Sequence, residues 1–110
     1  MINETLKRIE TSIAENETLA DERKNELVSL VNQLKGEIKE LETTHAEDAG
    51  SIASYTESSV REAGRTEPDE VMLQHSLDGL SLSVRRFEVS HPTLIGIINT
   101  ISQVLSGSGI

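Results

Sequence analysis

The sequence predicts an all-α fold: an antiparallel helical hairpin or bundle with heptad-like seams and a kinked C-terminal helix. Three observations carry this. Large aliphatic residues recur at steps of three and four in four separate segments, the spacing that sets side chains along one face of an α-helix. Tyr55 and Phe87 are the only aromatic residues and there is no Cys, so the core is aliphatic and no disulfide supports it. The last 22 residues, 89–110, hold no Asp, Glu, Lys or Arg, although the chain as a whole is 26% charged. A segment without ions tolerates burial on several sides, because no charge has to be desolvated. With 110 residues there is room for a single helical domain, 1–110.

Taken in order, Ile2, Leu6, Ile9 and Ile13 step by four, three and four, which defines the first helix. Thr18 or Asp21 can cap the next one, with acidic residues in its first turn. Leu27, Val31, Leu34, Ile38 and Leu41 then form the most regular stripe of the chain, with Leu30 widening it. Steps of four and three in alternation are those of helices lying side by side at a shallow crossing angle. Gly36 lies off this seam.

Residues 43–66 are small and polar. They read as a weak helix through Ala63 or as a connector, with Gly50 and Gly64 as the expected breaks. Thr66-Glu-Pro-Asp69 resembles a helix start, with threonine as cap and proline in the first turn. Leu73, Leu77, Leu80, Val84 and Phe87 repeat the heptad steps, which makes this helix a natural partner for the Leu27–Leu41 seam. It should stop near Val89, since the Pro92 ring clashes with a helical carbonyl four residues back. His91, preceding the proline, is pushed out of helical geometry. Residues 92–106 then form a C-terminal packing helix with an apolar face of Leu94, Ile97, Ile98, Ile101, Val104 and Leu105, closed by Gly107 and Gly109. Ile110 could fold back on it.

The run R-F-E-V-S-H-P-T-L, Arg86 to Leu94, and the ending L-S-G-S-G-I resemble a bacterial family of short helical proteins of unknown function. Members look like F-E-x-S-H-P-x-L, an isoleucine-rich helix and a terminal L-S-x-x-G-I. The stretch His45 to Ala63 is similar to longer members. The resemblance covers about the last two thirds of the chain and implies no activity, substrate or cofactor.

Charge and composition exclude several classes. Net charge is −9, and residues 1–68 carry 15 acidic against 8 basic side chains. Such a surface repels phosphate backbones, so no nucleic-acid partner is expected. The longest apolar segment, Leu94 to Leu105, is too short for a membrane span, which needs about 20 residues. The polar start M-I-N-E-T-L-K-R lacks a signal-peptide core, and the expected localisation is cytoplasmic.

Candidate chemistry is thin. Glu88 and His91 could form an acid–base pair, but Glu88, Ser90, His91 and Pro92 read more completely as a structural corner. There Phe87 anchors the seam, Ser90 caps and Pro92 sets the turn. His75 and Asp78 are spaced for a metal half-site, and His45 would approach His75 if the two long seams pair. Two ligands are not a site, and no motif completes one. No catalytic, cofactor-binding or metal-binding residue is therefore expected, and an enzyme is not expected. Arg85–Arg86 should face the acidic surface of a neighbouring helix. Tyr55 is a packing anchor or a partner contact.

Single stripes on long helices make a thin core for one copy. The expectation is a non-enzymatic assembly protein, a homo-oligomer (dimer or tetramer). Its expected contact residues are Phe87, Leu94, Ile97, Ile98, Ile101, Val104 and Leu105. The alternative is an accessory subunit whose C-terminal amphipathic helix docks on a larger protein partner.

Overall fold

The computed structural model describes residues 2–17 and 19–107. The described chain folds into α1 (Ile2–Glu15), α2 (Asp21–Glu42), α3 (Ala46–Ala63), α4 (Glu70–Val84) and α5 (Pro92–Gly107), with a short 3-10 turn, Arg85–Phe87, extending α4. No strand occurs among the described residues, as the sequence predicts.

Helix directions follow from paired contacts. Between α3 and α4, Ser58 bonds Ser76 at 2.8 Å and Arg86 reaches Asp48 at 3.3 Å. One number rises as the other falls, so the two run antiparallel. Arg8 Nε donates to Glu57 at 2.6 Å, and Asn16 lies against Gly64; both numbers rise together, so α1 and α3 are parallel. The hydrogen bond to Glu57 also raises the Arg8 pKa above its ordinary value.

α3 is the hub. It packs against α1, α2, α4 and α5, and α5 also packs on α2 and α4. The expected pairing of the α2 seam with the α4 seam does not occur: α2 and α4 make no contact, because α3 and α5 lie between them. The 43–66 stretch is thus helical from Ala46 to Ala63 and central. Its buried face is built of Ala49, Ile52, Ala53, Thr56, Ser59, Val60 and Ala63. Small side chains let four helices approach it closely. Thr56 and Ser59 can be buried there because each hydroxyl donates to a carbonyl one turn back, Ile52 and Tyr55, at 2.8 Å.

Helix ends differ from expectation in detail. α4 is capped by Asp69, whose carboxylate accepts from the Val71 and Met72 amides at 2.9 and 3.3 Å. Thr66 is not the cap and Pro68 precedes the helix, because the acid three residues beyond the threonine reaches the free amides directly. Asp21 is the first residue of α2 and Ala20 its N-cap, without a side-chain cap bond. The chain reverses before α2 through Asn16, whose Oδ1 accepts the Leu19 amide at 3.1 Å. Thr18 and Ile110 lie outside the described residues. Gly64 is the C-cap of α3, whereas Gly50 sits inside that helix.

All five helices feed one core, from Leu6, Ile9 and Ile13 through Leu27–Leu41 and Leu77–Phe87 to Leu94–Leu105. The Cα radius of gyration, 12.9 Å, is that of a compact chain of about 100 residues. One copy therefore covers its own aliphatic stripes, and the thin-core argument for assembly does not hold.

Candidate functional site

Phe87 is the centre of the corner that the sequence singles out. It is 2% exposed. His45 and His91 meet it edge to face, with ring centroids 5.2 and 5.4 Å away. Each imidazole is fixed at Nδ1 by the hydroxyl of the preceding residue: Thr44 holds His45 and Ser90 holds His91, both at 2.8 Å. The His91 amide donates to the Phe87 carbonyl at 2.8 Å, and Pro92 then opens α5, where its missing N–H is not needed. Ser90 is therefore a ring-orienting hydroxyl rather than an amide cap. Arg86 lies 5.6 Å from the Phe87 centroid and holds Asp48 of α3, so it does face an acidic neighbour as the sequence suggests.

This corner joins the α2–α3 turn to the α4–α5 turn. His45 lies there against Phe87, while His75 is exposed on the outer side of α4; the two do not come together because α2 and α4 do not pair. Asp78 accepts from Gln74 at 2.8 Å. Glu88 is exposed and makes no hydrogen bond to His91 among the described residues. No three His, Asp, Glu or Cys side chains gather around one point among the described residues. The concavity along α1 and α3, the one between α3 and α4 and the one at the turn after α3 are lined by neither Glu88, Ser90 nor His91.

The seven residues expected to contact a partner are all inside the chain's own core, none more than 6% exposed. α5 presents Thr93, Gly96, Asn99, Gln103 and Ser106 to solvent instead. A surface between chains would have to be made of other side chains.

Among the described residues, four of the six large apolar residues that do meet water lie on or just beyond α4, the others being Val28 and Tyr55. Val71, Met72 and Leu82 of α4 are 73%, 50% and 60% exposed, and Val89 beyond it 95%. Val71 and Leu82 share one stripe with His75, Asp78 and Arg85, all exposed. Sequence reasoning missed this stripe, although its steps of four and three are the signal used for the buried seams. The inner stripe, with more and larger aliphatics, masks it. It also missed Gly79, on which the Tyr55 ring rests.

Fold and surface define the class: a bundle of five helices with an aliphatic core, an aromatic–histidine corner, and no helix long and apolar enough to cross a membrane, among the described residues. The family model described as a domain of unknown function (DUF4404) matches residues 2–110, and the chain belongs to that family. Comparison with curated proteins and with solved structures gives no match.

Proposed function

We propose that the protein is a non-enzymatic interaction protein that associates with copies of itself. One observation carries the reading: Val71, Met72, Leu82 and Val89, on α4 and just beyond it, are large aliphatics left half or more exposed. Grouped apolar side chains in water favour association.

Sedimentation equilibrium over a wide concentration range tests it. A mass that rises above the 12.0 kDa chain is expected. A 12.0 kDa species throughout would count against self-association. Docking of α5 in a partner's groove is a weaker reading, since the apolar face of α5 would first have to leave the core it completes.

A further inference from the structure

The outer face of α4 is self-complementary. Val71, His75, Asp78, Leu82 and Arg85 step by four, three, four and three, and all five are exposed. In heptad terms Val71 and Asp78 occupy d, and His75 and Leu82 occupy a. Antiparallel helix pairs stack a against d of the neighbour. In the register whose residue numbers sum to 153, Val71 meets Leu82 of the second copy and His75 meets Asp78 of the second copy. Each contact occurs twice about the dyad, as an isologous interface requires. At the ends, Arg85 comes beside the turn Glu67–Asp69 of the second copy. Arg85 has no ion-pair partner among the described residues, in contrast to Arg86.

Net charge favours the same face. Residues 71–110 carry two acids, Asp78 and Glu88, against two bases, Arg85 and Arg86. The whole formal charge of −9 therefore lies in residues 1–70. Two copies meeting through the acidic helices α1–α3 bring like charges together, which costs most in a desolvated contact. α5, next to α4, adds an outer face with no charge. Other heptad registers lose the match: a shift of seven places His75 against Arg85 and Asp78 against Leu82.

We propose that α4 is the docking face for a second copy of this chain, antiparallel, with Val71 against Leu82 and His75 against Asp78. This rests on the self-association reading above and gives it a surface and a register. One helical stripe buries less than the roughly 1,600 Å² of a standard interface, so the dimer should be weak, with Kd of about 10 µM or above.

The chain has no cysteine, which makes the test direct. Val71→Cys and Leu82→Cys chains are prepared separately, and sedimentation of the unmodified protein is measured alongside. After mixing and mild oxidation, the 71–82 disulfide should dominate over 71–71 and 82–82. Like positions lie about 16 Å apart along the axis, beyond the roughly 7 Å that a disulfide spans. His75→Glu should abolish dimerisation, and His75→Glu with Asp78→Lys should restore it. A dimer of the unmodified chain that gives no preferred 71–82 bond, or is indifferent to His75→Glu, overturns this surface while leaving self-association standing. A monomer at all concentrations overturns both.

Discussion

The ring of Tyr55 on α3 packs against the backbone of α4 at Gly79, where an added β-carbon would overlap three ring atoms. The two helices approach at this point because residue 79 has no side chain. Gly36, Gly50 and Gly96 have nothing within 4 Å of such a carbon. Ala is worth about 1 kcal/mol over Gly inside a helix, so Gly36→Ala should stabilise the protein by about that amount. Gly79→Ala should give no gain or a loss, since the ring must leave. In a Tyr55→Ala background Gly79→Ala should become stabilising again. Urea unfolding of the four-member cycle measures the coupling.

The corner gives a second expectation. Phe87 is buried against two imidazoles that are themselves held by Thr44 and Ser90. Phe87→Ala should cost about 3–5 kcal/mol through the cavity it leaves. His45→Ala and His91→Ala should each cost about 0.5–1.5 kcal/mol, the scale of an edge-to-face contact. Thermal denaturation followed by circular dichroism checks the order of the three.

Glu62 is the one buried acid among the described residues, 4% exposed. One of its oxygens accepts from Arg65 at 3.0 Å and the other has no hydrogen-bond partner. A half-satisfied buried carboxylate is a poor stabiliser. Glu62→Met should be neutral or stabilising. Arg65→Ala, which strands the charge, should destabilise by about 1–3 kcal/mol. Chemical unfolding at neutral pH distinguishes the two signs, and equal losses would show that the pair earns its place.

How far the sequence discloses this arrangement depends on side-chain size. The stripes Ile2–Ile13, Leu27–Leu41, Leu73–Phe87 and Leu94–Leu105 are legible because large aliphatics recur at helical steps, and all four form helices in the core. α3 is nearly invisible by the same criterion. Its buried face relies on Ala49, Ala53, Thr56, Ser59 and Ala63, which pack by close approach rather than by bulk, so few large aliphatics mark it. A stripe also says that a face is covered without saying by what. The α2 and α4 seams look like mutual partners, yet α3 stands between them. The corner at Phe87–Pro92 was readable as a turn, but its rings are matched by His45, some forty residues earlier, and no local pattern joins the two.

The position of α5 reverses a natural assumption about a charge-free helix. Removal of Pro92–Ile110 would leave an assembly protein soluble if that helix were an appendage. Here Leu94, Ile98 and Ile101 are fully buried, and Ile97, Val104 and Leu105 nearly so, against α2, α3 and α4. At about 1.5–3 kcal/mol for each large side chain, these six contribute roughly 9–18 kcal/mol. That matches or exceeds the whole stability of an ordinary domain, about 5–15 kcal/mol. The truncated chain should therefore lose its cooperative unfolding transition and much of its helical circular dichroism. Changes on the solvent side of the same helix, such as Asn99→Ala or Gln103→Ala, should leave stability within about 0.5 kcal/mol. A truncated chain that keeps a sharp transition would show that α1–α4 close a core without α5.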